Sequence, residues 1–333
     1  MTAEELWKEY CSNKNIDINT HYEAWAFGDD PDGLAKLVLE GKKFGTASLY
    51  EAYEIEDALD EIPKTGDYSV ILNANDEALC VIRDYDVCVR RFGDVSPFHA
   101  YSEGEGDRSL NYWRNVHQRF FEEELSEYED TKLTINPETR VICEKFCVEY
   151  IPGKELDDDL IYIEPTLELA DEIAAYKQEM LDAGSSFDGC FSMKRHDDIK
   201  DYIEDCIHWA NPRREADGNG AWGNVILALR KSDNKIVGCM QVHNVLTERM
   251  EKFTGHVGYS VRPSERRKGY AKKMLAKACD FLSSFGFDEI NVSCLPENEA
   301  SRKTIHANGG EYIETVFLEC DGVNLERYKI RLK

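Results

Sequence analysis

Residues 261–275, Val-Arg-Pro-Ser-Glu-Arg-Arg-Lys-Gly-Tyr-Ala-Lys-Lys-Met-Leu, constrain the fold more than any other stretch of this chain. His256 to Arg262 reads as a strand, and it ends in a turn rich in positive charge. The turn runs into an amphipathic helix whose apolar residues Tyr270, Met274, Ala278 and Leu282 recur at helical spacing. Gly269 and Ala271 keep the first helical turn bare, so backbone N–H groups and the positive end of the helix dipole can face an anion. Strand, cationic turn and open helix start together make a phosphate cradle. It is neither the Walker loop nor the dinucleotide fingerprint, since neither glycine spacing is present.

The neighbouring elements are legible too. Upstream, Asn224 to Arg230 and Lys235 to Val242 read as a hairpin turning at Ser232-Asp233-Asn234. Downstream, Glu289 to Cys294 reads as a short apolar strand. Asn298 is placed to cap a helix over Ala300 to Asn308, with Gly309 as its stop. Tyr312 to Cys320 and Leu325 to Leu332 read as two closing strands.

The cradle has the form Arg-x-x-Gly-x-Ala, with Arg266, Gly269 and Ala271 in the fixed places. It resembles the pyrophosphate-binding signature of the GNAT acyltransferases, and the order of elements from Leu160 to Lys333 resembles the whole GNAT fold. The resemblance implies acetyl-CoA as cofactor. Its pyrophosphate would be held by the backbone from Arg267 through Lys268, Gly269 and Tyr270 to Ala271, with Arg266 and Lys268 adding charge. It further implies that Asn298 and Ser301 hydrogen-bond the pantetheine arm and phosphates, and that a backbone N–H near Val261 polarises the thioester carbonyl.

The implied reaction is direct acetyl transfer from the thioester to a primary amine, without a covalent enzyme intermediate. The acceptor ammonium must first lose a proton. Here the chain departs from the family pattern. Many relatives carry Tyr on the short helix, seven residues after the Asn, to protonate the departing thiolate. This chain has Ile305 there, and His306 points to the adjacent helical face. Relatives often place Glu as base on the fourth strand; His256 takes that place, with an ordinary pKa suited to proton transfer near neutrality. Two roles are therefore open to His256: general base, directly or through water, or hydrogen-bonded structural residue. Tyr259 and His243 are weaker candidates and read first as core or core-bordering residues.

A chain of 333 residues suggests two domains. Its net charge of −25 is unevenly divided. Up to Tyr150 there are 15 Lys and Arg against 33 Asp and Glu; from Ile151 onward there are 25 against 32. The polar, acidic stretch Pro152 to Asp159 reads as a linker. From Arg262 to Lys277 seven Lys or Arg stand against one Glu, a local reversal that suits a phosphorylated ligand.

In the first half, a helix is expected from about Asp32 to Glu40, a hairpin from Tyr68 to Asn73 and Ala78 to Ile82, and further strands at Val87 to Phe92 and Val141 to Tyr150. Short strands with two helical insertions suggest a small barrel. The passages Trp25-Ala26-Phe27-Gly28, Gly41 to Ser48, and Phe98 to His117 with its Glu-Gly-Glu-Gly-Asp loop resemble an ASCH domain, a barrel related to the PUA modules that bind RNA. Small members of that fold include amidohydrolases of acetylcytidine using a Lys, a Thr three residues later and a distant Glu. Lys43, Thr46 and Glu105 fall on those positions, with Glu103 the alternative for the carboxylate. The resemblance gives Lys43 the task of activating Thr46 or holding an oxyanion, and Glu105 that of moving protons. A solvated loop and surface ion pairs, Arg114 and Arg119 included, read equally well from the same residues. The acidic balance opposes binding of extended RNA, which rests largely on neutralised phosphates.

Eleven Cys are scattered without a Cys-x-x-Cys pair, and no zinc spacing is present, so no metal site is expected. Cys80, Cys88, Cys239 and Cys294 are expected to pack as small hydrophobes. With no long apolar run or signal peptide, the thiols suit the cytoplasm, and no membrane partner is expected. The run Glu122-Glu123-Glu124 with Glu127, Glu129 and Asp130 reads as a solvated helix end. The expected architecture is thus a two-domain α+β protein: an ASCH/PUA-like β-barrel with helical insertions over 1–152, and a GNAT mixed α/β fold over 160–333. The leading function is acetyl transfer from acetyl-CoA to a small amine, with a nucleoside or RNA-like ligand at the first domain. The alternatives are a nucleotide- or RNA-recognition module whose first domain deacetylates acetylcytidine, or a bifunctional pair. The acceptor would be set by the less patterned segment Ala170 to Gly223, and nothing in the sequence fixes the oligomeric state.

Overall fold

The chain divides into two units, Met1–Asp158 and Asp159–Lys333, described in a computed structural model at residues 1–128, 132–156, 160–213 and 221–332. The first unit is built on five strands: β1 (Glu23–Ala26), β2 (Gly45–Leu49), β3 (Tyr68–Leu72), β4 (Ala78–Arg91) and β5 (Arg140–Tyr150). They form an open sheet in the order β1-β3-β4-β5-β2, a curled half-barrel in which only the β1/β3 pair is parallel. The helices are α1 (Ala3–Lys14), α2 (Pro31–Leu39), α3 (Tyr50–Ile55), α4 (Pro97–Glu103) and α5 (Leu110–Ser126).

Alternation sends the two sides of each strand to different helices. Val70 and Val81 pack under α1 through Leu6, Trp7, Tyr10 and Cys11. Ile71, Cys80, Ile82 and Phe146 pack under Ala35 and Val38 of α2. At the β2/β5 end, Leu49, Val141 and Cys143 meet Trp113, Phe121 and Leu125 of α5. Helix α1 escaped the sequence reading, although Thr2 and Glu5 form a capping box at its start. The segments Ala78–Ile82 and Val87–Phe92, expected as separate strands, are one strand, Ala78–Arg91. A register shift between Asp84 and Asp86 bends it without breaking the ladder. Of the acidic run, Glu124 is half-buried, and burial, with Glu56 and Glu127 nearby, pushes its carboxyl up to about 7. Glu129 and Asp130, like Asp157 to Asp159 of the expected linker, lie outside the described residues.

The second unit opens with β6 (Leu160–Ile163), α6 (Ala170–Asp182) and α7 (Ile199–Ala210). The two helices occupy the segment that looked unpatterned. Tyr202, Ile203, Cys206, Trp209 and Ala210 nonetheless give α7 one buried face. The meander β7 (Trp222–Arg230), β8 (Lys235–Val245) and β9 (Val257–Val261) follows, with α8 (Glu248–Lys252) between β8 and β9. Then come α9 (Tyr270–Ser283), β10 (Glu289–Cys294), α10 (Glu299–Ala307), β11 (Glu311–Leu318) and β12 (Val323–Arg331). The strands make two antiparallel sheets, β6-β7-β8-β9 and β10-β12-β11.

Among the described residues these sheets are bridged at the start of β9. Gly255 bridges Val292 there. Gly255 has φ +79°, and a Cβ on it would lie 2.1 Å from the Asn291 carbonyl oxygen, so only glycine permits the approach. Beyond that point β9 has no ladder on its second side among the described residues, and the sheets part. Among the described residues no helix is long and apolar enough to cross a membrane.

Candidate functional site

The parted edge of β9 leads straight into the cradle. Arg262 N–H donates to the Val237 carbonyl at 2.9 Å, and Gly238 stands opposite Val261. Antiparallel pairs alternate between bonded and non-bonded positions. Tyr259 and Val261 therefore turn their backbone N–H groups away from β8, into the gap between the sheets. The Val261 carbonyl accepts Nε–H of Arg266 at 3.1 Å.

Helix α9 begins at the far end of the turn. Gly269 is its N-cap, with φ +88° and no side-chain cap, and a Cβ there would meet nothing within 4 Å. Arg267 also holds a positive φ, 68°. Arg266, Arg267, Lys268 and Gly269 are exposed, while Tyr270 is buried. The open space and uncapped amides of Tyr270 and Ala271 fit a diphosphate.

Buried ion pairs fix the turn. Arg262 is 6% exposed. It donates through Nε to Glu179 at 2.6 Å and through a guanidinium N–H to Glu172 at 2.5 Å. Glu179 also accepts the Ser264 amide at 2.7 Å. Burial alone would raise the Glu179 carboxyl, but these bonds hold it down at about 2. Glu265 accepts from Lys268 at 2.7 Å, Lys235 at 3.0 Å and Arg230 at 2.7 Å. Led by Lys268, those cations outweigh burial and keep it near 2. Of the charges expected to face phosphate, Lys268 is thus paired with Glu265, and Arg266 hydrogen-bonds Ser185 Oγ at 2.7 Å. Glu172, Glu179 and Ser185 were not found from sequence, because nothing local links residues some eighty positions apart. Glu265, alone among seven cations, was the visible signal.

The pantetheine candidates sit on α10. Asn298 caps it, its side-chain oxygen accepting the Ser301 amide at 3.0 Å. Ser301 Oγ lies 2.9 Å from Tyr259 OH, which burial pushes up to about 12. Tyr259 and Ser301 therefore come together across the gap. Ile305 is fully buried, and His306 Nδ1 meets the Gly310 carbonyl at 2.9 Å, away from it.

His256 stands at the junction of the sheets, 6% exposed. Its Nδ1 accepts the Asn291 amide at 3.1 Å, and its own amide donates to the Asn291 carbonyl at 2.8 Å. The acceptor nitrogen is occupied, and burial lowers the imidazole's pKa. Of its two open roles the geometry favours the structural one. His243, whose amide bonds the His256 carbonyl at 2.8 Å, is pushed by burial down to about 4.

In the first unit Lys43 is 1% exposed and bonds Glu105 at 2.8 Å and Glu103 at 3.2 Å. Glu103 also accepts Trp113 Nε1–H at 2.6 Å and lies 3.1 Å from His99 and 3.4 Å from His117. Burial works against its ionisation, yet His117 and Lys43 hold it well below the usual carboxylate range. So saturated a group anchors. Glu105, 19% exposed, is the carboxylate left facing solvent. Thr46 pairs with Glu144 in the β2/β5 ladder. The charge of Lys43 acts on that same Glu144. Arg114 bonds the Gly93 carbonyl at 3.2 Å, and Arg119 pairs with Glu123 at 3.9 Å.

Two family models match this chain: the ASCH domain over residues 23–150 and the acetyltransferase (GNAT) domain over residues 160–311. No curated protein matches. Among solved structures, an ASCH domain from Lactobacillus crispatus JV V101 is 28% identical, aligning 44% of this chain with 93% of its own at a TM-score of 0.41. The ribosomal-protein-S5-alanine acetyltransferase of Vibrio fischeri is 16% identical over 54% of this chain and 95% of its own, with a TM-score of 0.41. The acetyltransferase yncA of Salmonella typhimurium, solved with its cofactor acetyl-CoA, is 14% identical over 53% and 95%, with a TM-score of 0.37. The chain belongs to the ASCH family through its first half and to the GNAT acetyltransferases through its second.

Proposed function

We propose that residues 160–333 transfer an acetyl group from acetyl-CoA to the primary amine of a small acceptor, in the cytoplasm. The observation that carries this is the uncapped start of α9 lying next to the free edge of β9. Amides of Tyr270 and Ala271 hold the pyrophosphate, with Arg266 and Arg267 beside it; Asn298 and Ser301 border the pantetheine arm. Acetyl-CoA supplies an activated acyl carbon. The Val261 and Tyr259 amides face the place where carbonyl charge develops. The acceptor nitrogen attacks as the neutral amine, its proton passing to solvent, since His256 Nδ1 is engaged with Asn291. The thiolate of CoA leaves and is protonated. The eleven cysteines, none in a disulfide among the described residues, agree with a reducing compartment. Incubation with acetyl-CoA and a panel of small amines should release one free CoA thiol per acetylated amine. Enzyme-independent rates across the panel would remove the proposal.

A second activity is favoured by one observation, the pairing of solvent-facing Glu105 with the buried Lys43. Residues 1–152 then bind a nucleoside, with Glu105 moving protons, Lys43 supplying positive charge and Thr46 the hydroxyl. Acetate release from acetylcytidine by the full chain, lost in Lys43→Ala, is the expected result. No release, and no nucleoside effect on melting temperature, would retire it.

A further inference from the structure

One face of the half-barrel is apolar at one end and polar at the other, and every strand contributes to the polar end. The ladder establishes this. Glu23 of β1 is opposite Ser69 of β3, and Ser69 is opposite Ile82 of β4. Asp84 follows two residues after Ile82 and faces Phe146 of β5; Glu144 precedes Phe146 by two and faces Thr46 of β2. Residues two apart on a strand share a face. Glu23, Ser69, Asp84, Glu144, Thr46 and Ser48 therefore project from one side.

This is not a washed surface. Ser69, Asp84 and Glu144 are 7%, 5% and 7% exposed. Asp84 Oδ1 is fully enclosed and has no hydrogen-bond partner among the described residues. Buried polar atoms are almost always satisfied, so an orphaned carboxylate oxygen requires an explanation. Glu103, equally buried, shows what this fold does with a structural carboxylate: it surrounds it with Lys43, His99, His117 and Trp113. Asp84 has instead Asp67 and Glu23 for company, and Glu144 has Asp84, Glu103 and Glu23. The charge of Lys43 acts on Glu144, but Lys43 is already bonded to Glu103 and Glu105. Burial first, then these like charges, push Asp84 up to about 8 and raise Glu144 as well. Among the described residues Asp84 Oδ1 has no donor against it, and the charges acting on Asp84 are both negative. What completes it must bring a donor and positive charge.

We infer that Asp84 and Glu144 are the recognition groups of a binding site for a small nitrogen cation with adjacent N–H donors, such as an amidinium or a protonated amino-heterocycle. The inference rests on the reading of the first unit as a small-ligand pocket and names what that pocket selects. On entry the ligand donates to the Asp84 carboxylate, and the proton that Asp84 carried in the empty pocket goes to solvent.

Benzamidine, a permanent cation with paired N–H groups, and uridine, which has no amino group, are the two probes, used on the full chain. Benzamidine should raise the melting temperature saturably. Calorimetry at pH 7 in two buffers of different ionisation heat should show proton release. Asp84→Asn should weaken binding at least tenfold, and Glu144→Gln, a second near-isosteric variant, should weaken it likewise. Uridine binding without benzamidine binding overturns the cation inference while the pocket reading stands. Silence from both probes overturns the two together. Benzamidine binding unchanged in both variants removes Asp84 and Glu144 from the site.

Discussion

The imidazole of His256 and the backbone of Asn291 hold each other by two hydrogen bonds, amide to Nδ1 at 3.1 Å and amide to carbonyl at 2.8 Å. This clasp is the apex of the gap between the two sheets. His256→Ala removes an acceptor from a buried amide, so a stability loss of about 1–3 kcal/mol is expected. The pH profile of kcat/KM should keep its shape, because the residue positions β9 and exchanges no proton. Loss of the alkaline-rising limb on replacement would instead make His256 the base.

The turn between β9 and α9 is held from behind by Glu179 and Glu265. Neutral Glu179→Gln or Glu265→Gln should raise KM for acetyl-CoA several-fold with kcat little changed, the mark of lost uniform binding. Steady-state kinetics at varied acetyl-CoA checks this. Both carboxyls ionise near 2 in the folded protein, below the ordinary value of 4.5. The stability they contribute is fully present above about pH 4.5 and is lost as pH falls toward 2. Either variant should flatten the acid limb of a melting curve taken across that window.

Asp84 behaves in the opposite sense. Its folded value of about 8 lies above the ordinary 3.8, so the folded state binds the extra proton. Stability then declines as pH rises from about 4 to 8, by up to a few kcal/mol from this group. Asp84→Asn should abolish that slope and melt higher than the parent at pH 8. Thermal melts of both proteins at pH 5 and pH 8 are sufficient.

Glu103 and Glu105 should separate cleanly although both bond Lys43. Glu103→Gln breaks a buried, multiply bonded charge and should cost about 3–5 kcal/mol. Glu105→Gln, at the solvent-facing side, should leave the melting temperature within a few degrees and remove acetate release from acetylcytidine. The reverse pattern would move the working carboxylate to Glu103.

The cradle was legible in sequence because its parts are contiguous: Arg266, Gly269 and Ala271 specify the turn, and Tyr270, Met274, Ala278 and Leu282 specify the buried face of the helix after it. Strand β10 and the Asn298 cap were legible for the same reason. What sequence could not show is long-range. Glu172 and Glu179 reach Arg262 only once α6 packs beside β8 and β9. The joining of Ala78–Ile82 and Val87–Phe92 into one strand depends on a bulge at Tyr85 that no local pattern marks. The polar face of Ser69, Asp84 and Glu144 exists only through the ladder. His256 was found by position, but the partner that decides its role, Asn291, is 35 residues away.

The most direct test of the central claim is calorimetric titration of the full chain with acetyl-CoA, beside Gly269→Val. A Cβ at φ +88° is strained and stands in the open space before the α9 amides. The account predicts saturable one-site binding by the parent and its loss in the variant, with α9 still folded by circular dichroism. No binding heat from the parent at millimolar acetyl-CoA, or equal heat from a folded Gly269→Val, would contradict it.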